Sequence, residues 1–355
     1  MDSITQAALG ALCGEITMRK QLGWKAPLWG FFFGTFPDLD VPISPLLDPI
    51  AQLSWHRGIS HSILICFLAT PLFGFLLSKL HRQKGITFPQ AIWFVFLTWS
   101  THVLIDCFTT YGTQIYEPFS NTRASLNNMS IIDFSFTLPM LLALLVLIFF
   151  DKKSKTRTWI GRCTMLWLCF YASLSFYFKH LATSHFQKQL AQEGIEASRL
   201  TTAPTLTNIF LWRMLAESDG KYYISYWSIF DDQDETSPID IIPNGHEHIG
   251  LFENSKEVQK LIWFSEGWHL VIKDDQDPDS LVIVDMRFGE SRTAEQKTPV
   301  FAWKVTRDGN DYSFNNVSFR KGIKVAPSLR SLRNRIAGPS AEWDQGSWPW
   351  ETKQP

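Results

Sequence analysis

The segment GISHSILICFLATPLFGFLLS, residues 58–78, contains no lysine, arginine, aspartate or glutamate. The next long apolar run, GITFPQAIWFVFLTWSTHVLI at residues 85–105, has the same property. Each run has 21 residues, and about 20 mainly apolar residues are needed to cross the hydrocarbon core of a bilayer. We therefore predict that both runs are transmembrane helices and that the chain is an integral membrane protein.

Further apolar runs extend the helical region on both sides. Residues 134–150 and 163–178 predict a third and a fourth membrane helix. Residues 3–18 and 26–36 predict two shorter helices, which suit paired short spans, a re-entrant pair or interfacial helices. The expected fold class is an α-helical membrane domain over residues 1–180, with four transmembrane helices plus two short N-terminal helices.

Residues 181–355 have a different character, with mixed charge and turn-rich acidic segments. Between these segments lie short runs rich in β-branched and aromatic residues, such as KYYISYWSIF (221–230), KLIWFS (260–265) and SLVIVDMRF (280–288). This spacing is typical of antiparallel strands joined by turns. We predict a small, mainly antiparallel β domain that is water-soluble.

The overall charge excludes one class of partner. The formal net charge is −1, with 33 lysines and arginines against 34 aspartates and glutamates. Nucleic-acid-binding proteins usually carry a basic patch or stripe. We therefore expect no nucleic-acid partner, and the lipid bilayer is the predicted partner of the first half.

The distribution of lysine and arginine predicts the orientation of the helices. Basic residues are concentrated between the two N-terminal helices, between the first two long runs and between the last two runs. These residues are Arg19, Lys20, Lys25, Lys79, Arg82, Lys84, Lys152, Lys153, Lys155, Arg157 and Arg162. The alternate loops hold only Arg57 and Arg123. By the positive-inside rule the basic loops are cytoplasmic, which places residues 37–60, residues 107–133 and the C-terminal domain on the periplasmic side.

Ionisable residues gather at the predicted outer ends of the membrane helices. His102 and Asp106 are four positions apart, so their side chains lie on one face of a helix. His61 begins the preceding run and is expected at the same depth. Such groups are costly in a membrane and normally face a partner or the interior of a bundle. Two histidines and a carboxylate suit Zn²⁺, or Mn²⁺ and Fe²⁺ as carboxylates accumulate.

Two other polar segments fall on the same side. FPDLDVP, residues 36–42, places Asp38 and Asp40 in a proline-bounded turn, where an aspartate can also simply cap the next segment. Arg57 lies between His56 and His61 in the sequence. Its guanidinium suits either a clamp on a substrate phosphate or carboxylate or an extension toward lipid headgroups.

Five segments of the chain resemble a known family. MDSITQAALG, GTFPDLDVP, HRGISHS, THVLIDCFTTYGTQ and SLNNMSIID are similar to segments of the YdjM-like bacterial inner-membrane, metal-dependent hydrolases. The resemblance implies that the metal ligands are among Asp38, His56, His61, His102 and Asp106, with Asp40 close by. Family members often carry a histidine after the opening threonine, where this chain has Gln6.

From these residues we predict a membrane-bound metal-dependent hydrolase with its site at the periplasmic membrane surface. A divalent ion, with zinc favoured, would activate water against a phosphoester or a lipid-like, envelope-derived substrate. Asp40 is the predicted proton acceptor, Arg57 the clamp and Thr110 a substrate-positioning residue. The alternative is a non-catalytic membrane protein with a structural metal and a partner-binding β domain. An open coordination position favours catalysis, and four protein ligands favour a structural role.

Overall fold

A computed structural model of the chain shows a helical N-terminal part and a β-rich C-terminal part. It describes residues 1–232, 237–274, 277–309, 311–317, 319 and 325–351, with the backbone alone at 325–327. The chain divides into two compact units. The first comprises Met1–Asp48, Ser54–Phe176 and Leu206–Asn208, and the second comprises Pro49–Leu53, Tyr177–Thr205 and Ile209–Pro355.

Seven helices come before the first strand. They are α1 Ser3–Leu22, α2 Lys25–Thr35, α3 Pro49–Trp55, α4 Ile63–Leu80, α5 Phe88–Cys107, α6 Phe134–Leu147 and α7 Lys155–Gln192. Three 3₁₀ helices, Phe36–Leu46, Ile59–His61 and Arg82–Lys84, lie in the connections. Side-chain caps fix where α1, α4 and α6 begin, since Asp2, Ser62 and Asp133 each accept hydrogen bonds from N–H groups of the first turn.

Glycines bring α1 and α2 into direct backbone contact. A Cβ atom built on Gly10 would lie 2.2 Å from the carbonyl oxygen of Gly30, and one on Gly30 would lie 2.0 Å from that of Gly10. Gly14 and Gly34 follow at four-residue spacing on the same helices. Small residues at this spacing let membrane helices approach closely. Both α1 and α2 also pack against α5.

Two of the described helices, α4 and α5, are long and apolar enough to cross a membrane, and the prediction of four such helices is therefore wrong. At 1.5 Å per residue, the 14-residue α6 is about 21 Å long, short of a hydrocarbon core of about 30 Å. Helix α7 has 38 residues, but charged residues flank its apolar centre on both sides. The two predicted short N-terminal helices are present as α1 and α2.

The described residues of the second unit form two antiparallel sheets of four strands, each strand pairing with its neighbour in sequence. The first sheet comprises β1 Arg199–Pro204, β2 Leu211–Ser218, β3 Lys221–Ser228 and β4 Asp240–Pro243. The second comprises β5 His269–Lys273, β6 Ser280–Arg292, β7 Lys297–Asp308 and β8 Asp311–Asn316. Leu211, Tyr222, Trp268 and Val284 share one core, which joins residues of both sheets. The predicted antiparallel β architecture is confirmed.

One predicted strand is helical. The segment KLIWFS lies mainly in α8, Lys256–Phe264, which precedes α9 Val325–Ala337 and α10 Ala341–Asp344. Val258, Leu261 and Phe264 are buried at three-residue spacing, so they line one face of a helix. A short apolar run cannot be assigned by periodicity alone, and the helical period of this segment shows only when the residues before Lys260 are included.

Candidate metal centre

Four side chains that could hold a metal ion converge within the first unit, from three separate elements. Asp38 comes from the 3₁₀ helix after α2, His61 from the one before α4, and His102 and Asp106 from the last two turns of α5. One ligand atom from each lies within 4.8 Å of the others. The cluster therefore lies where α4 begins and α5 ends, at the same end of both candidate membrane helices.

The separations between these ligand atoms fit a single ion. His61 Nε2 and His102 Nε2 are 3.1 Å apart. Asp38 Oδ1 lies 3.3 Å from the first nitrogen and 3.5 Å from the second. Asp106 Oδ2 lies 3.4 and 3.5 Å from the same two atoms. Ligand atoms about 2.1 Å from an ion in a tetrahedron are roughly 3.4 Å apart, so these residues fit a tetrahedral divalent ion.

Each histidine is oriented by its other ring nitrogen. His102 Nδ1 lies 2.6 Å from the carbonyl oxygen of Gly34, which can only accept a hydrogen bond. Nδ1 must therefore carry a proton, and in the neutral ring Nε2 then has a lone pair. His61 Nδ1 lies 2.9 Å from Ser60 Oγ. Partners of this kind fix the tautomer and the ring orientation of metal-binding histidines, and the two Nε2 atoms face each other at a separation that suits either a shared proton or a cation.

Asp106 is held by one oxygen and presents the other to the cluster. Its Oδ1 accepts hydrogen bonds from Gln6 Nε2 at 2.9 Å and from the Met1 α-amino group at 2.5 Å. Arg57 Nη2 lies 3.0 Å from the same atom. Asp106 Oδ2 is buried and accepts no hydrogen bond from the residues that the structure describes. That free oxygen faces both histidines, as a ligand atom should.

Arg57 lies inside the unit and contacts the carboxylate of Asp106, a candidate metal ligand. The residue is 2% exposed, and its backbone has a left-handed φ of 60°. Nη1 donates to Thr109 Oγ1 at 2.8 Å, and the guanidinium packs on the Tyr111 ring. The structure thus places this residue as a support for Asp106, with its side chain buried instead of extended to headgroups.

A second group of ligand atoms adjoins the first. Asp38, Asp40 and His56 also offer atoms within 4.8 Å of one another. Asp40 Oδ1 lies 3.0 Å from His56 Nδ1, and Asp40 Oδ2 accepts a hydrogen bond from Ser60 Oγ at 2.9 Å. Asp38 belongs to both groups. All five predicted metal-binding residues, together with Asp40, are therefore gathered in one region.

The two groups differ in exposure. The side chains of His61, His102 and Asp106 are 0–1% exposed, whereas Asp38 is 15% and His56 is 26% exposed. Burial raises the pKa of Asp38, but its hydrogen bonds to His102 and His61 outweigh that effect and hold the pKa below its usual range. Asp38 is thus a carboxylate at neutral pH, with one side toward the buried group and one toward solvent.

The predicted residue Thr110 is adjacent to Thr109, which makes the contacts in the cluster, and further supporting residues were not predicted. Thr110 is half-buried and takes no part in the contacts above, whereas Thr109 bonds Arg57 and donates to the carbonyl oxygen of Asp106 at 2.8 Å. Gln6, Ser60 and Gly34 were not assigned supporting roles. Glycines at four-residue spacing in α1 and α2 were a signal for the close packing that positions Gly34.

A profile of the family described as "YdjM inner membrane protein" matches residues 1–182, slightly more than half of the chain. The chain belongs to the YdjM inner membrane protein family. The matched range contains every residue of both candidate ligand groups. The family resemblance drawn from the sequence is confirmed, and membership makes the chain an inner membrane protein, in agreement with α4 and α5. Comparisons with curated proteins and with solved structures gave no match.

Proposed function

We propose that this protein is a metal-dependent hydrolase whose site lies at the periplasmic surface of the inner membrane. The observation that carries the proposal is the buried Asp38–His61–His102–Asp106 group, whose ligand atoms already have the spacing of a bound ion. Zinc is the favoured metal because two imidazoles and two carboxylates in a tetrahedral arrangement suit it. Mn²⁺ and Fe²⁺ remain alternatives, since both accept mixed imidazole and carboxylate shells.

The side of the cluster that faces solvent supplies the groups for proton transfer. When bound, a divalent ion activates water at neutral pH and polarises a carbonyl or phosphoryl oxygen. Asp40 and His56 lie beside Asp38 and offer a carboxylate and an imidazole 3.0 Å apart. Such groups either accept the proton of an attacking water or bind a further ion. The support of Asp106 by Arg57 holds the buried side fixed.

The place of the site favours an amphiphilic substrate. His61 is two residues before the start of α4, and Asp106 is the penultimate residue of α5. A substrate that reaches the cluster from the end of this helix pair would keep its apolar part beside the membrane. We propose a lipid phosphoester, or another envelope-derived ester or amide, as the substrate.

A structural metal is the second candidate, and one observation favours it. Four protein ligands complete a tetrahedral shell, as in structural zinc sites. In that case the ion would fix the ends of α4 and α5, and the β unit would carry a partner-binding role.

Metal content and hydrolysis, measured on the same preparations, test the proposal. The wild-type chain, His102→Ala and His248→Ala would be purified in detergent; His248 is an exposed histidine of the β unit and serves as the control. We expect bound metal and hydrolysis in the wild type and control, and neither in His102→Ala. The substrates are bis(p-nitrophenyl) phosphate, p-nitrophenyl acetate, an amide analogue and phospholipid vesicles.

The two candidates give different results. Stoichiometric metal with no turnover of any phosphoester, ester or amide would support the structural role. Absence of metal from a folded wild-type protein, after reloading with Zn²⁺ and Mn²⁺, would contradict both.

A further inference from the structure

The second ligand group has fewer protein ligands than the first, so it leaves more coordination positions for water or substrate. Asp38, Asp40 and His56 provide three ligands, whereas the buried group provides four. Catalytic metal sites usually have three protein ligands and a remaining position for water or substrate. The more exposed side chains, Asp38 and His56, also belong to the group with three ligands.

Asp40 is oriented as a ligand in the same way as Asp106. Ser60 Oγ donates to Asp40 Oδ2 at 2.9 Å, and the backbone N–H of Arg57 donates to it at 3.3 Å. These bonds turn Oδ1 toward His56 Nδ1, at 3.0 Å. In an octahedral shell with bonds of about 2.1 Å, ligand atoms at right angles are about 3.0 Å apart.

Asp38 is placed to serve both groups. Its Oδ1 faces His61 and His102 at 3.3 and 3.5 Å, which leaves Oδ2 for a second contact. Asp38 and Asp40 are two carboxylates within one cluster of 4.8 Å. Like charges at this distance disfavour each other unless a cation or a proton lies between them.

We propose that the site binds two divalent ions, the second held by Asp38, Asp40 and His56, with Asp38 bridging the pair. This inference rests on the proposed function, because it assumes that the buried group binds the first ion. The buried ion is enclosed by protein ligands, and the outer ion has free positions for water and substrate. Two-metal sites with ions about 3.5–4 Å apart are common in hydrolases that act on phosphoesters.

The competing assignment is that a shared proton, and no metal, lies between His56 and Asp40. The two assignments are separated by counting ions. The whole chain in detergent would be stripped of metal with a chelator and reloaded with Zn²⁺ or Mn²⁺ in separate samples. After removal of excess metal, elemental mass spectrometry would give the number of ions bound per chain.

We expect two equivalents in the wild type, one in His56→Ala and one in Asp40→Asn, with His248→Ala unchanged at two. Asp40→Asn preserves the shape of the side chain and serves if His56→Ala does not fold. One equivalent in the wild type, unchanged in both variants, would overturn the second ion and leave the proposed function standing. No metal in the folded wild type would overturn the proposed function itself.

Magnetic coupling gives a measurement independent of total metal. Two Mn²⁺ ions bridged by a carboxylate would give a coupled spectrum in electron paramagnetic resonance, and His56→Ala would give the six-line spectrum of an isolated ion. An isolated-ion spectrum in the fully loaded wild type would contradict the bridge by Asp38.

Discussion

Gln6 supports the candidate metal centre through hydrogen bonds and is not itself one of the candidate ligands. Its Nε2 donates to Asp106 Oδ1 and to the backbone carbonyl of His102, so from α1 it contacts two candidate ligand residues of α5. The sequence drew attention to Gln6 only as the place where relatives carry a histidine. In the structure it holds the carboxylate in the orientation that leaves Oδ2 free. Second-layer bonds of this kind commonly change metal affinity by 10–100-fold.

The substitution Gln6→Met keeps the approximate shape of the side chain and removes its hydrogen bonds. We expect the affinity for Zn²⁺ to fall about tenfold, the low end of that range, because Arg57 and the Met1 amino group still bond Asp106 Oδ1. Competition with a chromophoric chelator measures the change.

Gln21→Met provides the matched control, since it makes the same change in α1 about 22 Å along the helix from Gln6. An equal loss of affinity in both variants would show that Gln6 acts only through the stability of α1.

At the scale of elements, the site depends on the close pairing of α1 with α2. That pairing brings the end of α2 against α5, where the Gly34 carbonyl accepts the hydrogen bond from His102 Nδ1. The two residues are 68 positions apart in the sequence. A backbone group on another helix thus orients the ring of a candidate metal ligand. The position of that group depends on the close packing of α1 and α2 at their glycines.

Gly30→Ala is expected to separate α1 from α2, because the new Cβ would lie 2.0 Å from the Gly10 carbonyl oxygen. Overpacking of this kind typically costs about 1–3 kcal/mol of stability. We expect a lower melting temperature in detergent and loss of metal, as Gly34 moves away from His102.

Gly161→Ala is the control, since the nearest atom to its Cβ would be Ile16 Cγ1 at an ordinary 3.6 Å. It should retain metal and gain stability from the higher helix propensity of alanine, by up to about 1 kcal/mol. Full metal content in Gly30→Ala would show that the contact between α1 and α2 does not position the site.

For the whole molecule, the basic residues predict which side of the membrane carries the site and the C-terminal part. The basic residues Arg82 and Lys84 lie in the short connection between α4 and α5, opposite the end that carries the ligands. The positive-inside rule places that connection in the cytoplasm. We therefore propose that the metal cluster and the β unit are periplasmic.

Alkaline phosphatase, which is active only after export, provides the test. Fused to the C-terminus it is expected to be active, and fused after Gly85 in the connection between α4 and α5 it is expected to be inactive. A fluorescent protein that folds only in the cytoplasm should give the opposite pattern. Reversed activities would place the site in the cytoplasm and exclude periplasmic envelope substrates.

Patterns within short stretches of sequence predicted the elements that are fixed by interactions within those same stretches. The apolar runs gave α4 and α5, and the four-residue spacing of His102 and Asp106 put both on one helical face, as the structure has them. The same reasoning overestimated the number of candidate spans, because an apolar run does not fix where a helix ends, and α6 stops at Leu147. It assigned KLIWFS to a strand because a short run does not reveal its period.

The sequence by itself determined a helical membrane part, a β-rich second part, and a set of histidines and aspartates suited to a divalent ion. Only the tertiary structure decided how those ligands are divided, with His61 in the buried group, His56 in the exposed group and Asp38 in both. The reason is physical. Spacing within one helix is fixed by its own hydrogen bonds, whereas the distance from Asp38 to His102 depends on how elements far apart in the chain pack together.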